Sequence, residues 1–351
     1  MNTAVDPGSP VLTSDVAELR RPTRRGAAWF VLLVAVMVLA GVASIWLGSR
    51  WVSWSDVWGA IAGSDETLGE AAVTKRIPRT FMALLVGGAL GVSGAVMQGV
   101  TRNPLADPGV LGINMGASLA IVIGIAYFGL TNPTNYIWVA IGGAGATAVF
   151  VYIVGSLGRG GTTPLKLALA GAATAAAFAS FVTAIILPRN DIADTFVSWQ
   201  IGGVGGATYD KLAMIVPFLV VGFVICGLSA RGLNSLALGD ELAAGLGERV
   251  AVTRTLSALG AVVLCGAATA VCGPIAFVGL VVPHACRLVF GPDYRWVIPM
   301  SAVTGATLVT ISDTLGRIVA KPEEIDVGII TALVGAPVFI LIVRRQKIRE
   351  L

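Results

Sequence analysis

The sequence predicts an all-α integral membrane protein with ten transmembrane helices, from its composition, its apolar runs and the placement of its basic residues. Hydrophobic residues make up 56% of the 351 residues and charged residues only 13%, against about 25% charged residues in soluble globular proteins. The deficit extends along nearly the whole chain, which excludes a soluble domain with a single anchor. The 44 glycines fit this class, because small residues let packed membrane helices approach closely.

Ten apolar runs are predicted to cross a bilayer, whose hydrocarbon core takes about 20 residues of helix, although the eighth run is short. The seventh and eighth of these runs almost touch at Gly273–Pro274. The predicted spans are 28–48, 80–100, 109–130, 136–157, 165–187, 212–230, 254–272, 274–290, 296–316 and 326–343.

The basic residues predict how the spans are oriented. With the N-terminus in the cytoplasm, the cytoplasmic loops hold two thirds of the 24 Lys and Arg residues, which is the bias that membrane proteins show. Both termini are therefore predicted to be cytoplasmic. Residues 1–27 are predicted to form a disordered cytoplasmic tail, 28–345 the membrane domain and 346–351 a short C-terminal tail.

The residues that could carry chemistry argue against an enzyme. The chain has one histidine, His284, no P-loop, and four cysteines that all lie inside apolar runs, so we expect no metal site. The basic residues are spread between the spans, which argues against a nucleic-acid partner. A gradient-driven carrier usually buries acids at mid-membrane, whereas Asp107 and Asp313 fall near span ends. The energy for transport is therefore expected to come from a partner protein, with an autonomous secondary transporter as the alternative.

The segment between the sixth and seventh spans, 231–249, is predicted to contact that partner. Two short helices separated by Gly239 fit its sequence, and Asp240 and Glu241 would begin the second one, where acidic residues are favourable. An apolar stripe at i, i+4 and i+8 is formed by Leu238, Leu242 and Leu246. A loop helix that lies on its own protein is the alternative.

A short repeat relates the two halves of the chain. Residues 104–109 and 274–279 share the pattern P-[LI]-A-x-x-G. Five predicted crossings separate the copies, so they would have opposite orientations, as in the inverted repeats of many transporters. The pattern suggests an inverted repeat of spans 2–5 and 7–10, although a chance match is the alternative in a chain so rich in Gly and Ala.

Several longer motifs carry a resemblance to a known family. They are RIPRT at 76–80, Gln98, RNPLADPGVLG at 102–112, LNSLALG at 233–239, GPIAFVGLVVPH at 273–284 and GAPVF at 335–339. In this order and spacing they resemble the FecCD family, the permeases of type II ABC importers for ferric siderophores, haem and vitamin B12. The resemblance covers roughly residues 28–345, and within the family the chain is most similar to ferric-enterobactin permease subunits.

The resemblance implies a permease subunit that moves an iron–siderophore complex across the bacterial cytoplasmic membrane, with haem or vitamin B12 as alternative substrates. It implies a second FecCD-type permease, expected to be a paralogue in a heterodimer, two cytoplasmic ABC ATPases and an extracytoplasmic siderophore-binding protein. The chain itself would bind no cofactor, because ATP and Mg²⁺ belong to the ATPases. The chelate would move intact, so His284 is interpreted as a structural residue rather than a metal ligand.

Three arginines are candidates for docking the binding protein. The family uses arginines at the positions of Arg76, Arg79 and Arg317 to hold acidic residues of that protein, and the guanidinium group suits a carboxylate because it can bind both oxygens. The alternatives are side chains that reach to the membrane interface and, for Arg317, a local pair with Asp313.

Two further groups of candidates concern coupling and the translocation pathway. The ATPase is expected to contact Leu238, Gly239, Asp240, Glu241 and Ala244. The resemblance implies an inner gate formed by Asn103, Leu105, Thr162 and Thr163.

The gate assignment and the polar residues inside spans each have an alternative. Pro104 and Pro108 forbid a regular helix beside the gate, so a purely structural turn is the alternative there. Gln98 and Asn114 are amides inside spans, and they either line the pathway or bond between helices.

Overall fold

The computed structural model describes residues 22–104, 106–130, 133–157 and 164–347. These residues form helices and connecting loops, with no strand among them, and the all-α prediction is confirmed. The helices are α1 (Pro22–Trp46), α2 (Trp54–Ile61), α3 (Leu68–Thr101), α4 (Ile113–Phe128), α5 (Pro133–Ser156), α6 (Pro164–Ile186), α7 (Asn190–Ile201), α8 (Tyr209–Leu228), α9 (Ala230–Ala237), α10 (Asp240–Gly245), α11 (Val250–Cys272), α12 (Val278–Phe290), α13 (Tyr294–Val319) and α14 (Val327–Lys347).

Each predicted span overlaps one helix of the described residues, and the chain is a multi-pass membrane protein. In the part of the chain that the structure describes, six helices are long and apolar enough to cross a bilayer, namely α1, α3, α5, α6, α8 and α11. The apolar segments of α4, α12 and α14 are shorter, and α13 has 26 residues. Residues 1–21 and 348–351, which hold most of the two predicted tails, lie outside the described residues.

Helix α3 forms the centre of the bundle and packs against α11, α12 and α13. It has 34 residues, about 51 Å at 1.5 Å per residue, which exceeds the roughly 30 Å of a hydrocarbon core. Its backbone lies so close to its neighbours that a Cβ atom at Gly91 or Gly94 would overlap the backbone of Ser301 or Gly279. Glycine therefore permits the close helix packing that the composition indicates.

Several helix boundaries differ from those predicted. Helix α1 begins at Pro22, before residue 28, so part of the predicted N-terminal tail is helical. Helix α3 begins at Leu68 rather than residue 80, because Thr67 caps it together with Glu70 in a capping box. Charged residues in this added stretch interrupt the apolar run without interrupting the helix. The short helices α2 and α7 were not among the predicted spans, since neither is long enough to cross a membrane.

The two copies of the short repeat both interrupt helices. After α3, a 3₁₀ turn at Pro108–Leu111 and a left-handed Gly112 delay the start of α4 to Ile113. Between α11 and α12, Gly273 and Phe277 have φ values of 70° and 68°. The seventh and eighth runs are therefore separate helices, and the second begins at Val278 rather than at residue 274.

Candidate functional sites at the two ends of the bundle

The three arginines predicted to dock a binding protein lie together at one end of the bundle. Arg76 and Arg79 come from the third and fourth turns of α3, and Arg317 from the last turn of α13. With two acidic residues they form what we call the arginine cluster: Arg76, Arg79, Asp313, Arg317 and Glu324. Exposed tryptophans surround this end, at Trp51, Trp54 and Trp58, and such rings are typical of a membrane interface.

Arg76 binds the C-terminal end of α1. Its side chain is buried, and its guanidinium donates hydrogen bonds to the carbonyl oxygens of Trp46 at 2.9 Å and of Arg50 at 2.8 Å. The last carbonyls of a helix have no partner inside the helix and carry partial negative charge. A Cβ atom at Gly48 would overlap the guanidinium. Arg76 thus fastens α1 to α3.

Arg317 is 1% exposed and also binds α1. Its Nη1 donates to the carbonyl oxygen of Ser44 at 3.0 Å, and its Nη2 donates to the Ser44 hydroxyl at 2.7 Å. Nη2 also lies 3.0 Å from Oδ2 of Asp313, one helical turn earlier. The local pair with Asp313, the alternative left open for Arg317, is therefore present.

Arg79 joins the buried part of the cluster to the surface. Its Nε and Nη2 donate to Oδ1 of Asp313 at 3.0 and 2.8 Å, and its Nη1 donates to Oε2 of Glu324 at 2.5 Å. The Arg79 side chain is 11% exposed and that of Glu324 37%. Burial by itself raises the pKa of Glu324, but the hydrogen bond and the charge of Arg79 outweigh it and lower that pKa below its ordinary value.

Glu324 was not among the predicted site residues. It lies in the loop between α13 and α14, where it also accepts a hydrogen bond from the Ser49 hydroxyl at 3.1 Å. The sequence signal for it is the acidic run Glu323, Glu324 and Asp326, which follows Arg317 in the loop after α13. A pairing partner could not be chosen from that run without the tertiary structure.

The coupling segment, residues 231–249, lies at the other end of α3. Two short helices, α9 and α10, flank Gly239, and Asp240 begins the second, as predicted. Gly239 has φ 112° and ψ 154°, a conformation that is essentially restricted to glycine. Asp240 accepts from Arg254 at 2.9 Å and pairs with Arg102, which follows α3.

One face of the coupling segment is packed and the other is exposed. Leu233 and Leu236 are fully buried, and the amide of Asn234 binds Asp293 at 2.6 Å. On the other face, Glu241 and Ala244 are exposed. The predicted apolar stripe is exposed too, with exposed fractions of 57% for Leu238, 63% for Leu242 and 69% for Leu246. Large apolar side chains exposed together are typical of an interaction surface.

The candidate pathway residues are only partly described. Gln98 is buried and donates to the carbonyl oxygens of Gly279 at 3.2 Å and Leu280 at 3.3 Å. Asn114 accepts a hydrogen bond from Thr269 at 3.0 Å. Both amides therefore make hydrogen bonds between helices, which is the alternative stated for them.

The gate residues are those least covered by the structure. Asn103 lies exposed in the loop after α3. Leu105, Thr162 and Thr163 lie outside the described residues.

The chain matches known proteins over nearly its whole length. The model of the FecCD transport family matches residues 35–345. The ferric enterobactin transport system permease protein FepD of Escherichia coli (strain K12) is 40% identical over 316 residues, which cover 90% of this chain and 94% of that protein. The iron(3+)-hydroxamate import system permease protein FhuB of Bacillus subtilis (strain 168) is 39% identical over 335 residues, covering 94% of this chain and 87% of that protein.

A solved structure is similar as well. It is an inward-facing conformation of a transporter described as of the metal-chelate ABC type, with a TM-score of 0.80 and 26% sequence identity. The alignment covers 91% of this chain and 99% of that one. The family that the motifs predict is confirmed.

Proposed function

The chain belongs to the FecCD transport family, and on this premise we propose that it is the permease subunit of an ATP-driven importer that moves an iron–siderophore complex across the bacterial cytoplasmic membrane. The observation that carries the proposal is the match, over nearly the full length, to permeases named for ferric enterobactin and iron hydroxamate. We propose ten crossings with both termini in the cytoplasm. The coupling segment then faces the cytoplasm and the arginine cluster faces outward.

Hydrolysis of ATP is assigned to two separate cytoplasmic ATPase subunits, which would hold ATP and Mg²⁺. Their contact on this chain is the exposed side of the coupling segment, around Leu238, Gly239, Glu241 and Ala244. This surface supports the assignment because its other side is anchored to the bundle through Asn234 and Asp293. A force applied at α10 would therefore reach the membrane helices rather than bend a loose loop.

A siderophore-binding protein is proposed to dock on the arginine cluster. Arg79 is the direct contact in this proposal, since it is the arginine linked to an exposed carboxylate, that of Glu324. Arg76 and Arg317 are buried against α1, so their part is to hold the docking surface in place as well as to supply positive charge. Charge reversal at Arg76 would damage the end of α1, whereas Arg79→Gln leaves Asp313 paired with Arg317. Affinity for the binding protein, measured on Arg79→Gln together with its free energy of unfolding, therefore tests docking and separates a lost contact from a weakened fold.

A second FecCD-type permease, expected to be a paralogue, would complete the pathway. The inner gate is proposed at Asn103 and Leu105 from one loop and at Thr162 and Thr163 from another. Gln98 and Asn114 would line or support the pathway from α3 and α4. Irregular backbone at membrane depth is tolerated where it lines a cavity, which suits the broken region between these two helices.

Reconstituted transport tests the energy source. Proteoliposomes would contain this permease, its partner permease, the ATPases and the binding protein, with ferric enterobactin as the first substrate and haem and vitamin B12 as comparisons. We expect uptake of the iron chelate only with ATP and active ATPases. Uptake that continues without ATPases would identify a secondary transporter, and uptake of haem or vitamin B12 alone would contradict the proposed substrate.

Crosslinking tests the ATPase contact. Single cysteines at Leu238 and Ala244 should crosslink to the ATPase, whereas a cysteine at Val220, which is similarly exposed but lies in the middle of α8, should not. The four native cysteines are buried, so they leave a low background. Crosslinks confined to the permease itself would contradict the assignment.

A further inference from the structure

An apolar crevice of about 430 Å³ lies between α5, α8 and α11, and residues of α3 form its floor. Its volume is within the roughly 300–1,000 Å³ of typical small-molecule pockets. Its lining is apolar except near one end and includes Met97, Ile141, Ala148, Phe218, Leu259 and Val263. Two of the lining side chains, Val149 and Leu259, are exposed, so the crevice opens onto an apolar outer surface of the helix bundle.

The crevice has the length of one membrane leaflet. Its lining on α11 extends from Arg254 to Gly266, which is about 18 Å along the helix at 1.5 Å per residue. One leaflet is half of a hydrocarbon core of about 30 Å. On the antiparallel α5, the lining extends from Ile141 to Tyr152. The shape therefore matches a single acyl chain that lies along the helices.

Polar groups gather at one end of the crevice only, the end near the coupling segment. Arg254 lines it there, and the hydroxyls of Tyr152 and Thr255 lie 3.5 Å apart. Nη2 of Arg254 donates to Asp240, but its buried Nε has no hydrogen-bond acceptor among the described residues. Arg102 also pairs with Asp240, so two cations share one carboxylate and positive charge remains at this end.

We propose that the crevice binds an anionic phospholipid, with one acyl chain along its apolar length and the headgroup phosphate at Arg254. An apolar cavity open to the bilayer is filled by hydrocarbon at no cost in desolvation of polar groups. Guanidinium groups bind phosphate with charge-assisted hydrogen bonds, and basic pockets between membrane helices are a known mode of headgroup recognition. The bound phosphate would connect through Arg254 to Asp240, the first residue of α10, and so stiffen the coupling segment.

Two glycines on α5 provide a matched pair of variants for the acyl-chain part of the proposal. A Cβ atom at Gly145 or at Gly142 meets no heavy atom within 4 Å, yet only Gly145 lines the crevice. Gly145→Phe should fill the crevice, and Gly142→Phe should leave it open. Native mass spectrometry of the full-length protein purified in detergent, with phosphatidylglycerol added, measures the bound lipid. We expect Gly145→Phe to lose most of the bound lipid that Gly142→Phe retains, and equal lipid on both would overturn the proposal.

The headgroup part of the proposal is tested with Arg254→Gln against Arg249→Gln, an exposed arginine at the start of α11 that does not line the crevice. Wild type and Arg249→Gln should prefer phosphatidylglycerol over phosphatidylcholine by about fivefold, the factor for one basic residue at an anionic membrane surface. Arg254→Gln should lose that preference. No preference in wild type, or its retention in Arg254→Gln, would overturn the proposal. A third result would also overturn the proposal. If Gly145→Phe loses its partner permease but keeps its lipid, the crevice is a contact between subunits.

Discussion

The arginine cluster and the coupling segment lie at opposite ends of α3, and they differ in which side chains are buried and which are exposed. Arg79 and Arg102 are separated by 23 positions of the sequence, about 35 Å of helix. In the arginine cluster, the charged groups of Arg317 and Asp313 are buried and bonded within the chain. In the coupling segment, apolar side chains are exposed instead. The comparison indicates that the first region stabilises the fold, whereas the second needs a partner to cover it.

The largest effect on stability is expected at Asp313. Asp313→Ala leaves Arg79 and Arg317 buried without their shared carboxylate, and breaking a buried pair in this way costs about 3–5 kcal/mol. The measurement is the free energy of unfolding of the purified protein. Asp210→Ala, an exposed acid in the first turn of α8, is the control and should cost less than about 1 kcal/mol. Equal values for the two variants would mean that the cluster does not stabilise the fold.

An intermediate effect is expected at Gly239. Its backbone conformation would cost an alanine about 1–3 kcal/mol, although a Cβ atom there would meet no neighbour within 4 Å. The penalty of Gly239→Ala, or of the bulkier Gly239→Val, is thus backbone strain rather than crowding. Gly245→Ala is the matched control, because Gly245 is equally open but lies in α10.

The two glycine variants are compared by unfolding and by coupled transport. Gly239→Ala should lower stability and reduce transport per ATP hydrolysed, and Gly245→Ala should change neither by much. If both alanine variants behave like wild type, the turn at Gly239 is not needed to position α10.

A smaller and pH-dependent effect is expected at Glu324. Its pKa in the folded protein is below the ordinary value of 4.5, so the carboxylate stabilises the fold above that value and loses this contribution as the pH falls through the lowered pKa. Since its side chain is 37% exposed, the contribution is less than about 1 kcal/mol. The midpoint temperature of unfolding should be higher for wild type than for Glu324→Gln near neutral pH, and the two temperatures should converge in acid. A constant difference at all pH values would contradict the Arg79–Glu324 pair.

The smallest effect on stability is expected at Leu242, although its effect on ATPase binding should be large. Leu242→Ser changes an exposed side chain, so the free energy of unfolding should stay within about 0.5 kcal/mol of wild type. Binding of the ATPase, measured by co-purification, should nevertheless fall. Leu233→Ala, on the buried face of the same segment, should instead cost about 2–5 kcal/mol. Unchanged ATPase binding by Leu242→Ser would show that the stripe is not the contact.

The sequence by itself determined the class of the protein, the approximate positions of its long helices and its family. These properties depend on local quantities, such as the length of an apolar run and the order of motifs that are each continuous in the chain. The break at Gly239 was predictable for the same reason, because a glycine between two short helical patterns is a local signal.

The tertiary structure alone decided the distant partners of the charged residues. Arg317 contacts Ser44, which lies 273 positions earlier in the chain, and Arg79 contacts Asp313 across 234 positions. No local pattern selects such partners, since each arginine could equally have reached toward solvent or lipid. The crevice at Arg254 has the same origin, because it exists only where α5, α8 and α11 meet over α3.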